Sequence, residues 1–225
     1  MAIREIKNAE LFVWTDIDPQ YEQDFNLWYD REHMEERVAI EGFQWARRYR
    51  NVSNDARRYL ALYRTENIGT FGTASYRKAF ESQTDWSNRN FERMTNTKRR
   101  VMHVVQEGGF GLGAAVAMIT LPSKDIDAPV VNPVLATVSK LDGVLSLHCM
   151  SPDETLSMPL PSEDPTTRSL EAVIVIDATT VSAAEAAAET MLDQLELSGD
   201  RSMVFNLIWE LRTEDLQKIA AANAA

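Results

Sequence analysis

The sequence predicts an α+β fold: tandem ferredoxin-like β-α-β-β-α-β repeats, residues 1–112 and 113–225, closing into one intramolecular barrel. Three observations predict it. Strand-like and helix-like segments follow the same order twice along the chain. The glycines that end the first helix of each half, Gly42 and Gly143, stand 101 residues apart, and Glu107 and Glu210, ending the fourth strands, stand 103 apart. An antiparallel sheet with helices on one face leaves its other face bare, so two such sheets in one chain can cover each other.

Glu10–Asp16 (ELFVWTD) is the first strand. A long helix follows from about Pro19, suited to a first turn, to Ile40, and Gly42 ends it. Phe43–Arg50 and Arg58–Arg64 alternate at period two and are strands, joined by a turn over Asn51–Ala56. Ser75–Glu81 centres a second helix, Asp85–Asn96 is a short helix or an ordered loop, and Arg99–Glu107 is the fourth strand. The second half repeats the order with Ala114–Leu121, a helix over Pro129–Lys140, strands Val144–Met150 and Leu170–Asp177, the Ala-rich helix Ala183–Leu197, and the strand Met203–Leu211. Ser151–Arg168, with four prolines, is a long loop, and Glu214–Ala225 a surface helix.

The halves differ in chemistry. Residues 1–112 hold 17 of the 23 Lys and Arg, 17 of the 34 Asp and Glu, and 17 of the 19 aromatic residues, so the second half carries the whole net charge of −11. Aromatic walls, arginines and the histidines His33 and His103 favour a small-molecule pocket in the first half, with the second half mainly structural. The plainer alternative is a bulkier core. The acidic balance argues against a nucleic-acid partner. No run is long and apolar enough to span a bilayer and MAIREIKNAE lacks a signal-peptide core, so a cytoplasmic protein without a membrane partner is expected. Cys149, the only cysteine, excludes a disulfide framework and is expected to be a buried, inert thiol.

The stretch FNLWYDREHMEERVAIEGFQWARRYR, with its pattern WYD-x-EH-x-x-ER, and the later RRYLALYRTEN and SYRKAFESQTDWSNR resemble a bacterial group of the dimeric α/β-barrel (EthD-like) superfamily. The resemblance covers most of the first half; the second half matches in element order alone. It implies the barrel, with a ligand pocket between a sheet and its covering helices. It implies no single reaction, since the superfamily holds cofactor-independent monooxygenases, lactone isomerases, polyketide cyclases and haem-binding enzymes.

On a uniform helix, Tyr21, Phe25, Trp28, Glu32 and Ala39 project to one side, Glu36 lies beside this stripe, and Tyr29 and His33 hold its edge. A carboxylate facing a sheet titrates high unless paired, which suits a general acid or base; the alternative is a structural ion pair with Arg47, Arg48 or Arg64. His33, Glu32 and Glu36 are therefore the catalytic candidates. His33 would move the proton, with Tyr49 and Tyr63 as alternates. Trp14, Trp28, Tyr29, Trp45, Tyr49, Tyr63 and Trp86 are the expected substrate-binding wall, with Arg48 or Arg89 holding an anionic group. Trp86 could equally pin its segment to the core.

No metal is expected, because His33-x-x-Glu36 has no matching second motif. His103 lines the pocket or the barrel interior, where haem ligation is the alternative to a cofactor-free site; His148 is expected to be structural. Gly109, Gly111 and Ala114 satisfy G-x-G-x-x-A, but a strand follows where a dinucleotide site needs a helix, so nucleotide binding is rejected. The expected function is a cofactor-free acid–base enzyme (isomerase, dehydratase, lyase or O2-dependent monooxygenase) acting on a small aromatic or carbonyl compound, with a homodimer allowed by the free faces. A haem-binding barrel or a non-catalytic ligand-binding barrel is the alternative.

Overall fold

Apolar residues on both faces of the first long strand require cover on both sides, and the fold provides it by closing the sheet into a barrel with helices packed outside. The computed structural model describes residues 1–53, 57–160, 163, 164, 166 and 168–223, with side chains as far as 218. Parts of the expected turn at 51–56 and loop at 151–168, and the end of the expected last helix, lie outside the described residues.

The strands are β1 (Ile3–Arg4), β2 (Ala9–Ile17), β3 (Phe43–Asn51), β4 (Tyr59–Thr65), β5 (Met94–Gly109), β6 (Ala115–Thr120), β7 (Val144–Pro152), β8 (Val173–Ala178) and β9 (Ser202–Arg212). Eight of them form a closed antiparallel barrel in the order β5-β2-β4-β3-β9-β6-β8-β7, with β7 returning to β5 and the short β1 added on β5. Helices α1 (Glu22–Trp28), α2 (Met34–Val38), α3 (Ala74–Glu81) and α4 (Asp85–Arg93) belong to the first half, and α5 (Ala128–Val138), α6 (Val181–Gln194) and α7 (Thr213–Asn223) to the second. The predicted α+β barrel class is what is observed. None of the described helices is long and apolar enough to cross a membrane.

Strand alternation divides the core into three. Phe12, Trp14, Tyr49, Leu60, Leu62, Met102, Val116, Met118, Val175 and Phe205 fill the barrel interior. The opposite face of β2, β3 and β4, with Leu11, Ala46, Ala61 and Tyr63, packs against Phe25, Trp28, Tyr29, Met34 and Val38. Beyond β6 and β8, Ala184, Ala187 and Ala188 let α6 lie close on Ala117, Ile174 and Ile176. The glycine-rich joint has a packing reason: a Cβ on Gly113 would stand 2.1 Å from the Ala178 carbonyl oxygen.

The long first helix departs from expectation. A 3₁₀ turn (Pro19–Tyr21) leads into α1, and a π-helical turn (Tyr29–His33) separates α1 from α2. A π turn holds one residue more than an α turn, so every later side chain is displaced by one place around the axis. The buried positions are Phe25, Trp28, Tyr29, His33, Met34, Arg37 and Val38, while Glu32 and Glu36 are only half-buried. Asp85–Arg93 is a helix, and β5 begins five residues before the expected Arg99.

Candidate active site

Between the first-half helices and the sheet lies a cavity of about 250 Å³. Its floor is Leu11 and Val13 on β2, Tyr63 on β4, and Thr97 and Arg99 on β5, all on the helix-facing side of the strands. Its roof is Tyr29 and His33 from the π turn, Arg37 from α2, Tyr76 and Phe80 from α3, then Gln83 and Phe91. Met94 and Leu160 complete the rim, Leu160 coming from the connection between β7 and β8.

His33 is 6% exposed and makes no hydrogen bond to a described residue; its Nδ1 is wholly buried. The imidazole lies against the Trp28 indole, centroids 4.1 Å apart, and meets Tyr29, Tyr63 and Phe91 edge-on at 5.1, 6.2 and 5.8 Å. Burial first, then the Arg37 and Arg48 guanidinium groups, hold its pKa well below the ordinary histidine value. It is a neutral imidazole at pH 7. Since no described group engages Nδ1, which nitrogen carries the proton is left to what occupies the cavity.

Tyr63 is pushed well above the usual phenol range, by burial and then by the neighbouring Tyr29 phenol. Tyr29 is raised by burial, opposed by Arg48, whose guanidinium lies 4.0 Å from the Tyr29 ring centroid. The cavity therefore offers a neutral base, phenolic donors and an apolar wall.

Of the sequence candidates, the fold brings His33, Tyr29 and Tyr63 to the cavity and Trp28 directly behind His33. The others lie elsewhere. Glu32 accepts from Thr84 Oγ1 at 2.5 Å and from Ser87 Oγ at 3.3 Å, and so fastens the start of α4. Glu36 is raised by burial and then by Glu32, with Arg37 opposing, but it does not line the cavity. Both glutamates are turned away by the extra residue of the π turn. Trp14, Trp45 and Tyr49 point into the barrel interior, on the other side of the same sheet. Arg48 is buried beneath Tyr29, bonded to Asn26 at 2.6 Å and 3.5 Å from Asp30. Trp86 donates to Asp24 on α1 at 3.1 Å, pinning α4, and Arg89 is exposed. Arg37, Tyr76, Gln83, Thr97 and Arg99 are the polar lining residues that sequence reasoning missed.

The remaining histidines sit outside this cavity. His103 is 44% exposed on the outside of β5 and 3.2 Å from Asp153, so the expected placement in the pocket or the barrel interior does not hold. His148 is buried inside the barrel, 3.4 Å from the Glu10 carboxylate. There Glu10 also meets Arg64 at 2.7 Å, and Arg47 meets Glu210 at 2.8 Å. Burial would raise Glu10, but His148, Arg64 and Arg47 outweigh it and hold the carboxyl at about 2. The Cys149 thiol is buried and pushed up to about 12. Among the described residues, no three His, Cys, Asp or Glu side chains gather to hold a metal ion.

No protein-family model matches the chain, and no curated protein matches it in sequence. Solved structures do match in fold. An anthrone oxidase-like protein superposes with a TM-score of 0.61 at 10% identity, over 94% of this chain and 97% of its own. A candidate monooxygenase from Lactobacillus acidophilus NCFM gives 0.56 at 11% identity, over 92% and 97%. A variant chlorite dismutase from Candidatus Nitrospira defluvii gives 0.53 at 8% identity, over 91% and 92%. At these identities the likeness establishes the dimeric α/β-barrel fold alone.

Proposed function

We propose that this protein is a cofactor-independent acid–base enzyme that takes a compact aromatic or aryl-carbonyl compound into the helix–sheet cavity, with His33 as the proton-transfer residue. The observation that carries this reading is one side chain in its setting: a buried, neutral imidazole, bonded to no described group, on the wall of an aromatic cavity. Structural histidines that are buried normally find a hydrogen-bond partner, because an orphaned polar group costs about 1–3 kcal/mol. A base kept free and neutral is ready to accept a proton from the acidic C–H or O–H of a bound molecule. The aromatic rings shape the site for a flat ligand, and the phenols of Tyr29 and Tyr63 can donate to the oxygen on which charge develops.

Removal of that proton is the shared first step of the isomerase, dehydratase, lyase and O2-dependent oxidase chemistries that suit this fold. The anthrone oxidase-like and candidate monooxygenase neighbours favour the oxidative branch by analogy of fold only. We further propose that the chain is a tandem repeat of ferredoxin-like units dividing near Leu112. The strand order β5-β2-β4-β3 in one half and β9-β6-β8-β7 in the other supports this, since each places its fourth strand beside its first and its second at the far end.

Haem fits the cavity poorly. His33 is its only histidine, and about 250 Å³ falls below the roughly 300–1,000 Å³ of pockets for drug-sized ligands, which haem exceeds in size. The corresponding expectation is that haem titration gives no Soret band that depends on His33. The proposal itself is tested by a thermal-shift screen of phenols and aryl ketones, followed by turnover of the stabilising compounds by native protein and by His33→Asn. A binder raises the midpoint by mass action, and the variant should keep binding while losing turnover.

A further inference from the structure

The arginines of this protein share a habit that one of them breaks. Five are buried: Arg37, Arg47, Arg48, Arg64 and Arg100. Four lie within 4 Å of a carboxylate, on Glu210, Asp30, Glu10 and Glu163 respectively. Arg37, 5% exposed, has no such partner among the described residues; its one hydrogen bond runs from Nη2 to the neutral amide oxygen of Gln83, at 2.9 Å. Arg99, half-buried, faces the same cavity and likewise has no carboxylate beside it among the described residues. Its Nη2 donates to Tyr76 Oη at 2.8 Å and its Nη1 to the Leu156 carbonyl at 3.3 Å, and no described carboxylate lies within 4 Å of it. Both guanidinium groups line the cavity.

Burying a cation without an anion is costly, and folds retain such an arrangement where the counter-charge arrives with a ligand. The neutral acceptors fix the direction of each fork while leaving it without a paired carboxylate. A planar guanidinium recognises a carboxylate through paired N–H donors. We infer that Arg37 and Arg99 form an anion subsite of the cavity, and that the molecule this protein takes is an aromatic carboxylate. This rests on the reading of the cavity as a ligand site and adds the charge of the ligand. It also moves anion recognition from Arg48 and Arg89 to two residues on opposite walls of the cavity.

The test is isothermal titration of native protein, Arg37→Gln and Arg99→Gln with benzoate and 2-naphthoate, each beside its primary amide. Native protein should bind at least one carboxylate roughly tenfold or more tightly than its amide, as expected of charge-assisted pairing. Either substitution should remove most of that preference and leave amide binding in place. An amide bound as tightly as its acid, or a preference that survives both substitutions, overturns the anion subsite and leaves the aromatic cavity standing. Binding of neither overturns both. A ligand-free measurement guards against misfolding: Arg37→Met should raise Tm by roughly 2–4 °C, because it deletes a buried charge that no carboxylate pairs directly. A clear fall in Tm would mark Arg37 as a structural cation and overturn the inference.

Discussion

The His33 imidazole lies 4.1 Å, centroid to centroid, from the Trp28 indole, at an interplanar angle of 32°. Trp28 is itself wholly buried, and its Nε1 donates to Ser87 Oγ at 3.0 Å, so the surface that carries the imidazole is fixed. The two rings are five positions apart in the chain, the i to i+5 spacing of a π turn. The pair makes His33 an oriented base whose nitrogens are bonded to no described group.

A depressed histidine pKa has a definite sign in stability. Above about pH 6.5 the imidazole is neutral both folded and unfolded, and it adds no pH dependence. Below that value the unfolded chain takes up a proton that the folded chain refuses, so stability falls as pH falls. His33→Phe should therefore flatten the Tm-versus-pH curve between pH 7 and 5 relative to native protein. NMR titration of the imidazole should likewise show it neutral at pH 6, where an ordinary histidine is mostly charged.

Removing the base should cost rate more than binding. His33→Asn is expected to lower kcat by about 10²–10⁴, the usual worth of general acid–base assistance, with KM changed only a few-fold. Circular dichroism should remain native. A loss confined to KM would assign His33 to substrate binding.

Glu32 should behave as a structural residue. It accepts from Thr84, whose hydroxyl also caps α4, and from Ser87. Glu32→Gln keeps an acceptor but gives up the charge-assisted bonds, so a stability loss of about 1 kcal/mol is expected with kcat nearly unchanged. Chemical denaturation and a turnover assay separate the two effects. A large fall in kcat at unchanged stability would return Glu32 to the catalytic candidates.

Inside the barrel, Glu10 is wholly buried and paired with Arg64. Arg64→Met removes one of the three basic neighbours of that carboxylate and leaves His148 and Arg47, so a destabilisation of about 1–3 kcal/mol is expected. The native pair also carries an acid dependence of its own. Because the Glu10 carboxyl is held at about 2, its contribution is full above its ordinary value of 4.5 and is lost as pH falls from 4.5 towards 2. Glu10→Gln should blunt acid unfolding across that window.

The barrel was legible in the sequence because strand alternation and element order are local signals that recur in both halves. Period two also groups the side chains of each strand correctly: Trp45 with Tyr49, and Tyr59 with Tyr63. What it leaves open is which set faces the helices, so the sequence alone places Trp14, Trp45 and Tyr49 with Tyr63 although they lie on the opposite side of the sheet. The π turn leaves no signature in composition. A uniform 100° step therefore puts Glu32 in the cavity, keeps His33 at its edge, and misses Arg37 altogether. Arg99 shares a face with Val101 on β5, a visible hint, but Leu160 reaches the cavity from the other half of the chain, which no local pattern carries.

The central claim, that His33 takes a proton from a bound aromatic compound, can be tested before any overall reaction is known. Native protein is incubated in D2O with aryl ketones, with and without a carboxylate, and exchange of the acidic C–H is followed by NMR. Exchange above the buffer rate is expected for at least one ketone that binds, falling by about 10²–10⁴ in His33→Gln. Exchange that persists unchanged in His33→Gln, or its absence with every ketone that binds, would contradict the claim.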